Sequence, residues 1–305
     1  MKKIVVVGSS NTDMIMQLPN IPRPGETLSG GVFTQAAGGK GANQAVAVAR
    51  AGGAVAFVAK VGQDEFGNQA LAGFCAEGIA VSAVTKTAHA ASGMAFIFVD
   101  AKGENSIGVA GGANDLLTPE DIMQQTSQIE QADILLIQLE TPIAAVQKAI
   151  ALAHVNHKMV ILNPAPARVL SEELLAQVDI LTPNETEAEL LTGIVVSDEA
   201  SAQQAAQILL GKGVKKVLIT VGKQGVWVAE NGQIELVPGF EVEARDTTAA
   251  GDTFNGALAV ALAEDKDLKS AVRFGQAAAA ISVTRLGAQP SVPTRNEIEE
   301  FLNKN

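Results

Sequence analysis

Short, β-branched apolar runs alternate with longer alanine-rich stretches along most of the chain, and few architectures accept that rhythm. The runs fall at 4–7, 55–61, 134–139, 159–162, 180–181 and 217–221. Stretches with helical spacing lie between them at 42–51, 67–77, 143–154, 185–191 and 200–210. Further helical stretches at 253–264, 268–285 and 295–302 close the chain. Strands separated by helices specify an α/β fold, with a mostly parallel central sheet and helices on both faces. A chain of 305 residues fits one such domain spanning 1–305.

Two stretches break the rhythm. Residues 14–35 are punctuated by Pro and Gly and have no helical period. Residues 93–109 read as a hairpin, with arms at 94–99 and 105–109 turning through Asp100-Ala101-Lys102-Gly103. Strands without covering helices predict a small second sheet, a lid inserted into the main domain.

Composition narrows the ligand. Hydrophobic residues make up 47% and aromatic residues only 4%, so the core is built from Ala, Val, Leu and Ile. A net charge of −11, with no basic stripe or tail, argues against nucleic acid or an anionic membrane as partner. A nucleotide stays possible, because helix N-termini hold phosphates without many basic side chains. The single cysteine, Cys75, rules out an internal disulfide and reads as a buried thiol among Leu71, Phe74 and Ile79. His154 and His157 near a helix end lack a third metal ligand nearby and read as solvated, and His89 lies in a polar loop. The apolar run after Met1-Lys2-Lys3 is too short for a signal peptide, and none approaches membrane-span length. The expectation is a cytoplasmic protein.

In a parallel α/β sheet, ligands bind outside the carboxyl ends of the strands. Gly8, Ser9, Asn11 and Asp13 follow the first run, and Asn11 and Asp13 face the same way if the chain is extended there. Glu140, Asn163, the Thr182-Pro183-Asn184-Glu185 stretch, and Gly222, Lys223 and Gly225 follow later runs. Solvated loops explain polarity in general, but less well carboxylates and amides set directly at the ends of buried strands.

Two glycine-containing motifs stand out. Gly38-Gly39-Lys40-Gly41-Ala42-Asn43 fails as a P-loop, and it fails as a dinucleotide fingerprint because Gln44 takes the third glycine's place. That disfavours a nicotinamide oxidoreductase. It leaves backbone open to a ligand, with Lys40 and Asn43 suited to a polyol. In Asp246-Thr247-Thr248-Ala249-Ala250-Gly251-Asp252-Thr253-Phe254-Asn255, a turn of small residues opens a helix. Unpaired N–H groups at such a terminus bind anions, phosphates above all. Asp252 is either the helix N-cap or a carboxylate placed to take a proton from an attacking hydroxyl. No Gly-x-Ser-x-Gly elbow supports a serine hydrolase.

These two motifs resemble those of the ribokinase family of carbohydrate and nucleoside kinases, and the similarity runs over essentially the whole length. Asn163-Pro164-Ala165-Pro166-Ala167, the segment from Leu181 to Glu187 and Gly287-Ala288-Gln289-Pro290-Ser291-Val292-Pro293 carry it further. The resemblance implies transfer of phosphate from ATP to the 5-hydroxyl of D-ribose. Less close alternatives are a kinase of 2-deoxyribose, a ketohexose or a nucleoside, or a sugar-binding regulator.

By that resemblance, Asn11, Asp13, Gly39, Lys40, Asn43 and Glu140 would hold the sugar hydroxyls. Asp252 would be the catalytic base, and Ala249, Ala250 and Gly251 the anion hole. Asn184, Thr220, Gly222, Gly225, Gly251 and Gln276 would line the nucleotide site, Gln276 standing where His or Asn is expected. Asn184 and Glu187 would hold Mg²⁺ through water. Asp246, Thr248, Ser282, Arg285, Gly287 and Ser291 would surround a monovalent cation, K⁺. The lid would pair two subunits as a homodimer.

Overall fold

The first strand shows why the sheet lies in the middle. In Lys3–Val7, the side chains of Ile4 and Val6 enter one apolar cluster and those of Val5 and Val7 enter another on the opposite face. With a period of two, a run apolar at every position must be covered on both sides. The computed structural model describes residues 2–305. Its strands are β1 (Lys3–Val7), β2 (Asn11–Gln17), β3 (Val32–Gly38), β4 (Ala54–Gly62), β5 (Val84–Thr87), β6 (Gly93–Val99), β7 (Asn105–Ala110), β8 (Ile134–Ile137), β9 (Met159–Leu162), β10 (Ile180–Leu181), β11 (Lys216–Thr220), β12 (Gly225–Glu230) and β13 (Gln233–Pro238).

Nine strands form the main sheet in the order β13-β12-β11-β10-β9-β8-β1-β4-β5. From β5 to β11 every pairing is parallel. The sequence did not announce β5 or the antiparallel β12–β13 edge. The loop between β12 and β13 is Asn231-Gly232, both at positive φ, which is the two-residue hairpin signal.

The helices Lys40–Arg50, Ala250–Ala263 and Leu268–Val283 cover one face. Ile143–Val155, Glu185–Thr192 and Glu199–Gly211 cover the other. Two of the first group approach closely at Gly256, where an added Cβ would lie 2.5 Å from that of Ala47. A larger side chain there would push the Lys40–Arg50 and Ala250–Ala263 helices apart.

A separate four-stranded sheet has the order β3-β2-β6-β7 and reaches beyond 14–35 at both ends. Its β6–β7 hairpin turns where the sequence placed the turn, with Asp100 N–H donating to Glu104 O at 2.9 Å. Cys75 is exposed, contrary to the expectation of a buried thiol. Phe74 takes the inward position against Phe57, edge to face at 5.2 Å. The next residue lies about 100° further round the helix and faces out. His89, His154 and His157 are exposed.

Candidate active site

The Ala250–Ala263 helix begins earlier than the sequence suggested, and this settles what Asp252 does locally. Ala249 is the N-cap, in the left-handed region at φ 58, and no side chain caps the helix. Asp252 therefore lies inside the first turn and is not an N-cap. Gly251 is exposed and an added Cβ there would meet nothing within 4 Å. The Ala250 N–H turns back to Thr247 O at 3.2 Å, and the space beside Gly251 is open, so the start of this helix is reached by no side chain.

The Asp252 carboxylate points the other way, into the protein, where it is 5% exposed. Asn43 donates from Nδ2 to its Oδ2 at 3.0 Å, and Gln44 from Nε2 to its Oδ1 at 2.9 Å. Burial raises its pKa; Lys40 and the two amide donors act against burial, and Glu140 acts with it.

The Lys40–Arg50 helix brings its own donors because its first turn packs on the end of β1. An added Cβ at Gly41 would stand 2.5 Å from Ser9 N, so only glycine allows this approach. Glu140 joins the same place, its Oε2 accepting from Ser9 Oγ at 2.6 Å and from Lys40 N–H at 2.9 Å. For Lys40, burial lowers the pKa, but Asp252, Glu140 and Glu187 together outweigh burial and raise it. Lys40 is thus a held cation among three carboxylates.

Asn11 and Asp13 share one face of β2, and Asp13 lies against Gly38 of the paired strand. Asn11 Oδ1 accepts from Asn114 Nδ2 at 2.7 Å. Gly39, at φ 88, leaves no room for a Cβ beside Asn11 N. Burial, with help from Glu140, pushes the Asp13 carboxyl up to about 6. Asn11, Asp13, Gly39, Lys40, Asn43, Glu140 and Asp252 therefore lie around one place.

A second set surrounds the ends of β10 and β11. Asn184 and Glu187 form a reciprocal capping box: Asn184 Oδ1 accepts from Glu187 N–H at 2.8 Å, and Glu187 Oε2 accepts from Asn184 N–H at 2.9 Å. Burial raises the Glu187 pKa and Lys40 opposes the rise. Asn184 bridges to Thr220. Gly222 follows at φ 53 with open space beside it, and Gly225 packs against Val237 O. Gln276 donates from Nε2 to that same Val237 carbonyl at 2.8 Å, which places it near Gly225. Its Oε1 is buried with no partner.

A third set lies in the loops around the helix start. Asp246 accepts from Thr248 N–H at 2.9 Å and from Gly287 N–H at 2.8 Å. Burial raises its pKa, but bonds from Thr248 and Gly287 prevail and keep it low. Ser282 Oγ and Ser291 Oγ donate to Ala279 O and Ala288 O. The Arg285 guanidinium pairs with Glu297 at 2.5 Å and reaches Ser291 O at 3.5 Å, so its side chain braces the loop. No hydrogen bond joins this third set to Asp252. Among the described residues, no cluster of three or more His, Cys, Asp or Glu is arranged to hold a metal, and no helix is long and apolar enough to cross a membrane.

Residues 1–295 match the family described as pfkB family carbohydrate kinase. The chain belongs to this family. It is 51% identical to the ribokinase of Haemophilus influenzae over 301 residues, which cover 99% of this chain and 98% of that one. It is 37% identical to a deoxyribokinase of Salmonella typhi, with 99% of both chains covered. A solved Arabidopsis thaliana ribokinase complexed with ribose and ATP is similar at a TM-score of 0.93 and 33% identity, covering 99% of this chain and 98% of that one.

Several side chains in the site of this carbohydrate kinase had no role assigned from sequence. Gln44 belongs to the early glycine motif but has no role of its own in the sequence reading, yet it holds one oxygen of Asp252. Asn114 fixes Asn11 and also accepts from Ser10 N–H at 2.9 Å. Gln138 and Asn163 bond to Gln44. Gln138 and Asn163 directly follow buried strands, and Gln44 and Asn114 are buried polar side chains near the start of a helix or 3-10 turn.

Proposed function

We infer that this chain transfers the γ-phosphoryl group of ATP to the 5-hydroxyl of D-ribose. The observation that carries the reading is Asp252, a buried carboxylate in the first turn of an uncapped helix terminus, beside Lys40 and Glu140. The similarity to proteins named ribokinase supports the substrate, and the Arabidopsis protein is described with ribose and ATP.

In this reading Asn11, Asp13, Gly39, Lys40, Asn43 and Glu140 hold the sugar hydroxyls and aim the 5-hydroxyl at the γ-phosphorus. Asp252 takes the hydroxyl proton as the new O–P bond forms and the bond to the bridging oxygen of ADP breaks. The N–H groups of Ala249, Ala250 and Gly251 receive the charge on the transferred group; such positioning and charge stabilisation dominate phosphoryl transfer. Asn184, Thr220, Gly222, Gly225 and Gln276 hold the nucleotide, the unpartnered Gln276 Oε1 accepting from it.

Mg²⁺, held through water by Glu187 and Asn184, would neutralise phosphate charge. The capping box uses Glu187 Oε2 and leaves Oε1 for a metal-bound water, which fits that indirect role. The 246–248 and 282–291 loops offer hard oxygen ligands for K⁺, which would act by fixing the turn. The small sheet serves as a lid and pairs with a second copy. A cytoplasmic place suits the use of ATP.

The second reading is 2-deoxyribose, motivated by the deoxyribokinase relative. Initial rates with ATP on ribose, 2-deoxyribose, fructose and adenosine decide between them. The expected result is the highest kcat/KM on ribose; a higher value on any other acceptor overturns the reading. Repeating the ribose assay in sodium-only buffer and with K⁺ at constant ionic strength tests the cation loops, where equal rates would make them structural only.

A further inference from the structure

Three adjacent parallel strands each end in a buried polar residue. Gln138 follows β8, Asn163 follows β9 and Thr182 follows β10. Asn163 Nδ2 donates to Thr182 O at 3.3 Å, and Thr182 Oγ1 donates to Asn255 Oδ1 at 2.7 Å. Asn255 Nδ2 then donates to Gly251 O at 2.8 Å, which ties the belt to the helix turn that carries Asp252.

Gln44 is the hub. Its Nε2 donates to both Asn163 Oδ1, at 3.1 Å, and Asp252 Oδ1, at 2.9 Å. Its Oε1 accepts from Gln138 Nε2. The amide has one workable orientation: turning it over would set Oε1 against two acceptor oxygens and Nε2 against the Gln138 donor. The Asp252 carboxylate can only accept, and Gln138, donating to the other end of the amide, reinforces the orientation that sets Gln44 Nε2 on it. Its own Oε1 is buried without a partner, and a Cβ on Gly8 would stand 2.2 Å from that oxygen. A methionine or leucine would fill such a place without stranding an acceptor, so stability alone does not account for the glutamine.

We propose that Gln44, oriented by Gln138, is a positioning residue that fixes the Asp252 carboxylate and keeps it in the proton-accepting form. This rests on the reading of Asp252 as base. An N–H aimed at Oδ1 stabilises the ionised carboxylate and disfavours a proton there. The charged groups facing Asp252 are Lys40 on the Lys40–Arg50 helix, Glu140 after β8 and Glu187 on the Glu185–Thr192 helix. Replacing Gln44 leaves all three in place, so a displaced acid limb belongs to the lost donor. A network that merely stiffens the core would scale activity alike at every pH.

The test is the pH profile of kcat/KM for ribose with ATP, between pH 5 and 9, in Gln44→Met and Gln138→Met. Gln44→Met is expected to move the acid limb up by about one pH unit, roughly a tenfold loss below the limb. Above the limb the rate should largely return, with KM for ribose little changed. Gln138→Met should shift the limb the same way by less. Profiles parallel to the native one, or a raised KM with kcat kept, overturn the proposal. If Gln44→Met fails to fold by circular dichroism, Gln138→Met decides on the same criterion. Asp252→Asn separates the two ideas: retained turnover there removes the base itself, whereas lost turnover with parallel glutamine profiles removes only the positioning role.

Discussion

Around Asp252 each carboxylate oxygen has its donor, and side chains from three strands and two helices meet out of solvent. On the β3-β2-β6-β7 sheet, by contrast, Val32, Phe33, Phe96, Phe98, Ile107 and Val109 are 36–62% exposed. The first region is complete within one chain. The second carries a run of apolar side chains of the kind that marks an interface. Both regions meet in β2, which begins with Asn11 and Asp13 and continues into the small sheet. The difference teaches where precision is needed: a buried hydrogen-bonded network demands a fixed geometry, while an exposed apolar face tolerates change until something covers it.

The sharpest way to break the comparison is Asp252→Asn. If the sealed region exists for proton transfer, turnover should fall by roughly 10²–10⁴-fold. Far-UV circular dichroism should stay native, and a folded, fully active variant would reduce the buried network to packing.

Asp13 lies at the border and tests both sides at once. Asp13→Asn should weaken ribose binding by about 1–3 kcal/mol, measured by calorimetry, with ATP affinity little affected. Its folded pKa of about 6 lies above the ordinary 3.8, so ionisation opposes folding as pH rises from 3.8 through 6. Asp13→Asn should therefore stabilise the fold at pH 7.5, by at most about 3 kcal/mol and read as a higher Tm, and the gain should vanish below pH 4. A lower Tm at pH 7.5 would contradict the burial argument. Ribose affinity of the native protein should fall as pH drops through about 6.

On the open side, Phe33→Asp should weaken self-association by about 2 kcal/mol, the scale of burying a large apolar side chain. Light scattering at micromolar concentration reads it. A native protein already monomeric there, or a variant that associates equally well, would mean that another occupant covers the sheet.

The smallest effect belongs to the Arg285–Glu297 brace, away from both regions. The Arg285 contact, helped by Thr294, holds the Glu297 carboxyl down at about 2. Its contribution is present above pH 4.5 and fades as pH falls from 4.5 towards 2. Because the pair is partly exposed, Glu297→Gln should cost at most about 1 kcal/mol at pH 7. The Tm difference from the native protein should narrow below pH 4.5, and a constant gap would exclude the ion pair as its source.

The central sheet was legible because β1, β8 and β9, buried on both faces, read as continuous apolar runs. The motif residues were legible because glycines and carboxylates cluster at strand ends. The helix start at Ala250 was not, since sequence rules give the left-handed position to glycine and Ala249 occupies it at φ 58. Gln44 stayed hidden for another reason: its partners Gln138, Asn163 and Asp252 lie 94, 119 and 208 positions away. No local pattern records such contacts. Cys75 shows the limit of composition, because neighbours in sequence are apolar while the helix phase turns the thiol outward.

Gly256 works as a spacing gauge between two helices. It sits one turn beyond Asp252, where the Ala250–Ala263 helix touches Gln44 O, Ala47 and Val48 of its neighbour. The 2.9 Å bond from Gln44 to Asp252 spans that same seam. Hydrogen bonds weaken over a few tenths of an ångström, whereas apolar packing tolerates compensating changes of volume. Drift in the alanines and leucines of the core can thus be absorbed by their neighbours, but a single methyl at 256 would press on Gln44 O and Ala47 and part the seam that the Gln44–Asp252 bond spans. The seam makes a residue that need touch no ligand as exacting as one that does.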